Sequence, residues 1–206
     1  MSLAAYQELF CRMVASPALR DRFLQTPDEV CRHLDLTDRE RKRLESIVHQ
    51  PGMRVNTAIH RANRLTPLYQ TLPFTCFLLG EGLRETLERY WTLHPSENLQ
   101  LDVECERFAD YLIGELRAGR VWGEYLEEVL AFERNCAALR FRQPPLLRII
   151  PFRHDPEPLL ASLARLELPT PPPATGDFQL AVDCRHGEAD FYLLDPTATA
   201  ALQKNM

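Results

Sequence analysis

The stretch FQLAVDCRHGEADFYLLDP, residues 178–196, decides the fold class. Phe178, Leu180, Val182 and Cys184 alternate with Gln179, Ala181, Asp183 and Arg185. A polar turn follows, Arg185-His186-Gly187-Glu188, and then a second β-favouring run, Ala189–Leu194. Alternation, turn and run together predict a β-hairpin. Nearly everything before it carries a helical period. The expected fold is therefore α+β and mostly α, with an N-terminal helical bundle and a small C-terminal two- or three-stranded sheet with flanking helices.

Upstream of the hairpin, Leu168 to Gly176 is a proline-rich connector with no core of its own. Asp155-Pro156 predicts a capped short helix through Arg165, and Leu146–Phe152 a strand in which Pro151 suits an edge. Pro144-Pro145 suggests a boundary, so the expected domains are 1–142 and 143–206. Asp195-Pro196 predicts a cap for a last helix. Two or three strands cannot close a barrel, so one edge stays open unless something covers it.

Ser16-Pro17, Thr26-Pro27-Asp28-Glu29 and Thr37-Asp38-Arg39-Glu40 predict helix starts, the last two as capping boxes. Short helices are expected at about 3–14, 17–25, 27–34 and 38–49, with a break at Pro51-Gly52. The next helix, about 53–66, has an apolar stripe of Val55, Ala58, Ile59, Ala62 and Leu65 that is expected to be its buried face. Arg54, Arg61 and Arg64 fall beside it, and Pro67 is expected to end or kink the helix. Further helices are expected from Leu72-Pro73 to about His94, over 100–118, and along Trp122, Tyr125, Val129, Phe132, Cys136 and Leu139. Gly80-Glu81-Gly82, inside the first of these, reads as a close helix contact rather than a ligand loop. Four amphipathic helices can enclose one core.

The chain has 206 residues and a formal net charge of −5, which argues against a general nucleic-acid binder. The six cysteines are widely spaced without a CxxC pair, and most sit on apolar helical positions, which suggests free thiols in a reducing compartment. The N-terminus lacks the basic region of a signal peptide, and no apolar run is long enough to cross a membrane, so a cytoplasmic protein is expected. His33, His49, His60, His94, His154 and His186 are scattered, and no HExxH, GxSxG, P-loop or dinucleotide fingerprint is present. Cys136 beside Arg134 could be a nucleophile, but its place in an apolar stripe favours a core thiol. No catalytic or metal-binding residue is expected. The open strand edge is the suggestive feature, because extended peptides bind by adding a strand to such an edge.

The segment MRVNTAIHRANRLTPLYQTLPFTCFLLGEGLRETLERYW, followed by HPSENL, RFADYL at 107–112 and EEVLAFER at 127–134, resembles the methanobactin biosynthesis MbnC family over residues 1–142. The C-terminal part is similar in architecture. The resemblance implies a heterodimer with an MbnB-like TIM-barrel iron oxidase. It also implies binding of an MbnA-like precursor peptide whose cysteines the complex converts to oxazolone and thioamide. It places iron in the partner and no cofactor in this chain, while the acidic balance and the lack of a long apolar run leave neither nucleic acid nor membrane among the expected partners. The leader peptide would dock on the ribbon at Leu180, Val182, Asp190, Phe191, Tyr192, Leu193 and Leu194, with the third strand favoured. Arg54, Arg61 and Arg64 would face the partner enzyme. Two alternatives stay open: an accessory protein of a thiaglutamate-type pathway, or a DNA-binding regulator using the same three arginines.

Overall fold

The computed structural model describes residues 3–94, 101–141, 144–187 and 189–194. The cap expected at Asp195-Pro196 lies outside them. Ten helices and one three-stranded antiparallel sheet make up the described residues, an α+β and mostly α fold. No described helix is long and apolar enough to cross a membrane. The chain divides into two compact units, and the division does not fall at residues 142 and 143.

The first unit takes in the described residues of Met1–Thr66 and Arg84–Leu99. Its short helices are α1 (Leu3–Ala15), α2 (Pro17–Gln25), α3 (Pro27–Cys31) and α4 (Asp38–Val48). Leu9, Met13, Phe23, Cys31, Leu44, Val48 and Met53 form their shared core. Ser16 caps α2 by accepting from the Leu19 N–H at 3.2 Å. Thr37 and Glu40 make the reciprocal capping box of α4. Thr26 does not cap α3; its hydroxyl donates to the Arg22 carbonyl at 3.2 Å, while Glu29 pairs with Arg22 at 2.5 Å. The cap residue is shared with the end of α2, and that end takes the hydroxyl.

Helix α5 (Pro51–Thr71) departs most from expectation. Pro51-Gly52 opens it instead of breaking the chain, and it runs on through Pro67. Its orientation is also reversed. Val55 is 56 % exposed and Ile59 54 %, with Ala58 and Ala62 exposed beside them. At 100° per residue the buried Met53, Thr57 and Arg64 lie across the helix from that stripe. Arg64 is 1 % exposed, its guanidinium 5.1 Å from the ring centroid of Tyr90 and 5.8 Å from that of Trp91. Both rings belong to α7 (Gly82–Leu93). Cation–π contact and close packing outweigh the burial of a modest aliphatic stripe here.

The second unit takes in the described residues of Pro67–Leu83 and Gln100–Met206. The helix expected from Leu72 to His94 is split: α6 (Pro73–Leu79) ends at Gly80, whose φ of +49° only glycine adopts freely. A side chain there would meet only the Phe77 carbonyl at 3.9 Å, and one at Gly82 nothing within 4 Å. Gly80 therefore turns the chain and Gly82 opens α7; neither is a close helix contact. α8 (Leu101–Arg117) and α9 (Leu126–Arg140) follow. Trp122 precedes α9 and is 88 % exposed, so it does not belong to that helix's buried stripe.

The sheet runs in the order β1 (Leu147–His154), β2 (Thr175–Asp183), β3 (Asp190–Leu194), with α10 (Pro156–Leu163) between the first two strands. Asp155 caps α10 by accepting from the Glu157 N–H at 3.1 Å. Tyr125, Val129, Phe132 and Leu139 share one core with Ile150, Phe152, Leu159, Leu163, Leu180 and Val182. The sheet is thus part of the body that contains α9, not a separate appendage.

Candidate functional site

The hairpin register determines what each strand of the sheet offers. Leu147 pairs with Asp183 across β1 and β2, and beyond the strand end the Cys184 N–H donates to the Leu146 carbonyl at 2.8 Å. Hydrogen-bonded pairs alternate along an antiparallel ladder. Leu180, Val182 and Cys184 therefore spend their backbone groups on β1, and Gln179, Ala181 and Asp183 spend theirs on β3. Those three oppose Leu194, Tyr192 and Asp190. Phe191 and Leu193 are left turning their N–H and C=O groups outward, and no described strand pairs with that side of β3.

The opposite edge is blunted toward its C-terminal end. Pro151 in β1 has no N–H, and the Arg153 N–H donates to Glu128 at 2.7 Å. The same carboxylate accepts from the His154 N–H at 3.2 Å and contacts His154 Nδ1 at 2.6 Å. Glu128 and Pro151 together blunt β1, the usual protection of an edge strand.

The predicted peptide residues divide between the two faces of the ribbon. Leu180 and Val182 are buried in the core. Phe191 and Leu193 sit on that same face, opposite Val182 and Leu180, yet are 54 % and 43 % exposed. Phe191 lies 6.2 Å from the Phe132 ring of α9. Asp190, Tyr192 and Leu194 belong to the other face; Asp190 is exposed and Leu194 half-buried. Tyr192 donates through its hydroxyl to Asp183 at 3.3 Å, and Arg185 grips the same carboxylate at 2.6 Å. The Arg185 side chain and N–H hold the Asp183 carboxyl well below the usual range, so this clasp stays ionised and fixes the turn.

A cleft of about 310 Å³ lies beside the start of β3, lined by Cys136, Leu139, Arg140, Val182, Cys184 and Phe191 among others. Burial pushes the Cys136 thiol up to about 12, which makes it a neutral, unreactive apolar lining rather than a nucleophile. Helix periodicity had placed Cys136 and Leu139 in a stripe without showing that the stripe borders the hairpin. Only pairing of the strands brings them beside Phe191.

Arg54, Arg61 and Arg64 do not share a solvent face. Arg54 is exposed, Arg61 pairs with Glu88 at 2.5 Å and stacks 5.4 Å from the Trp91 ring centroid, and Arg64 is buried. Burial, reinforced by the Arg64 and Arg61 charges, pulls the His60 pKa down. No group of three or more His, Cys, Asp or Glu among the described residues is placed to hold a metal. No protein-family model matches the chain, and no curated protein matches it.

Proposed function

We propose that this chain is a non-catalytic accessory subunit that binds the leader of a ribosomally made precursor peptide and delivers it to an iron-dependent oxidase. The observation that carries the reading is the asymmetry of the sheet. One edge is blunted toward its C-terminal end by Pro151 and Glu128, and the other offers the outward backbone groups of Phe191 and Leu193 beside an apolar cleft. Backbone pairing along β3 aligns an extended peptide, and the cleft accepts a side chain that points toward α9. The resemblance to the MbnC family supplies the identities of peptide and enzyme. In this reading the peptide is a methanobactin-like precursor, the iron belongs to the partner, and the protein works in the cytoplasm.

Titration of a fluorescent precursor leader into the purified chain tests it. Proline at 193 removes an outward N–H and leaves the β2–β3 ladder intact, so Leu193→Pro lowers affinity at least about tenfold with an unchanged circular dichroism spectrum. Proline at 192 removes an N–H that faces β2 and disrupts the ribbon itself. Unchanged affinity in folded Leu193→Pro and Phe191→Pro variants would refute docking on this edge.

A further inference from the structure

A second cavity of about 310 Å³ lies between α8, α9 and the start of β1, inside the second unit. That size is at the small end of ligand cavities, which run from about 300 to 1,000 Å³. Its two sides differ in charge. Helix α8 contributes the carboxylates of Asp102 and Glu106, and α9 and β1 contribute Arg134, Asn135 and Arg148. Ala109 on α8 and Ala137 on α9 are small enough to leave the space open, and Leu72 and Phe141 add apolar surface.

Arg148 is the unexpected member. Side chains alternate along a strand, so Arg148 shares a face with the buried Ile150 and Phe152, and it pairs with the buried Val182 on β2. Alternation assigns that position to an aliphatic residue, and a guanidinium there gives up hydration and rotamer freedom. Its Nη1 donates to the Asn135 side-chain oxygen at 3.1 Å, which holds the planar fork at the cavity wall. Arg134, one residue before Asn135 on α9, is anchored to Asp110 at 2.6 Å. Both cations are therefore placed before a ligand arrives, as capture of a carboxylate by planar guanidinium groups requires.

We propose that this cavity binds a small zwitterion, an α-amino acid with an apolar side chain. The carboxylate lies on Arg148 and Arg134, the ammonium on Asp102 and Glu106, and the side chain on Leu72 and Phe141. The divided charge selects a zwitterion over a simple anion, which the two carboxylates of α8 repel, and over a simple cation, which the two arginines repel. The site is separate from the peptide-docking edge, since no residue of β3 is among the described residues that line it.

Isothermal titration calorimetry of the full chain with L-leucine tests it at neutral pH and low salt. Saturable binding is expected, with a Kd of about 1 mM or tighter. Isocaproate is leucine without its ammonium, and isoamylamine is leucine without its carboxylate. Each binds at least about tenfold more weakly, as loss of a charged hydrogen-bonding group does. Arg148→Gln lowers the affinity for leucine by about tenfold or more, and Glu106→Gln by about threefold or more. Glu106 is exposed, so Glu106→Gln decides the matter if the Arg148→Gln chain does not fold. Absence of saturable leucine binding overturns the proposal. Isocaproate binding as tightly as leucine also overturns it, because the site then reads a carboxylate alone. Unchanged leucine affinity in Glu106→Gln, or in a folded Arg148→Gln chain, overturns it as well and leaves Arg148 as a tie between β1 and α9.

Discussion

Helices α9 and α5 carry the same kind of signal in the sequence and meet opposite fates. The α9 stripe of Val129, Phe132 and Leu139 is buried against Ile150, Phe152 and Leu180. The α5 stripe of Val55, Ala58, Ile59 and Ala62 faces outward, while Arg64 on the far side is buried under Tyr90 and Trp91. Side-chain size accounts for much of the difference. Phenylalanine and leucine bring enough apolar area to decide a helix's orientation, whereas two alanines with a valine and an isoleucine do not. An arginine whose stem and planar guanidinium lie on two aromatic rings can win that contest.

The largest effect expected is at Phe132, which touches both Phe152 and Phe191. Phe132→Ala costs about 3–5 kcal/mol in urea unfolding, and it loosens β3 as well as the core. A cost near zero would mean that α9 does not organise the sheet.

Next comes a pH dependence on the same helix. Glu133 accepts from the Phe74 and Thr75 N–H groups at 2.7 and 2.8 Å, which caps α6 from within the core. Burial pushes its carboxyl up to about 7, against the downward pull of those hydrogen bonds. The folded chain therefore holds this proton more tightly than the unfolded chain. Its contribution is most favourable below the ordinary value of 4.5, declines as pH rises to about 7, and is level beyond. The decline is on the order of 3 kcal/mol. Glu133→Gln abolishes it and costs about 1–2 kcal/mol at low pH, because one amide N–H group then faces a backbone donor. Thermal melts between pH 4 and 8 measure both effects.

Arg64→Met tests the inverted helix directly. The substitution keeps most of the stem volume and loses both cation–π contacts, for about 2 kcal/mol. If it is neutral, the rings and not the guanidinium orient α5. The smallest effect is expected at Ile59. Ile59→Lys changes stability by no more than about 0.5 kcal/mol, since the side chain is already in water. A large destabilisation there would erase the contrast between the two helices.

Much of the fold was legible because it depends on local chemistry. Ser16, Thr37 and Asp155 cap the helices they precede, and Pro151 occupies an edge strand. The hairpin of residues 178–194 forms where alternation and its polar turn put it. Less of the candidate site was legible. Sequence named both runs of the ribbon but could not distinguish core-facing Leu180 and Val182 from edge-facing Phe191 and Leu193. It treated Arg54, Arg61 and Arg64 as one face because spacing reports who sits beside whom on a helix, not which side meets the core.

What the sequence alone determined about this protein is therefore its inventory of elements: where helices begin, where the chain turns over in β structure, and which residues cluster on a common side. These follow from capping hydroxyls, proline geometry and side-chain period, all acting within a few residues. Tertiary structure alone decided three further things: which edge of the sheet stays open, which thiols line a cleft, and which face of α5 is inside. Each depends on residues distant in the chain: Glu128 reaching β1, Cys136 meeting the hairpin, and Tyr90 and Trp91 closing over Arg64. A period in the sequence cannot encode a contact whose partner lies tens of residues away.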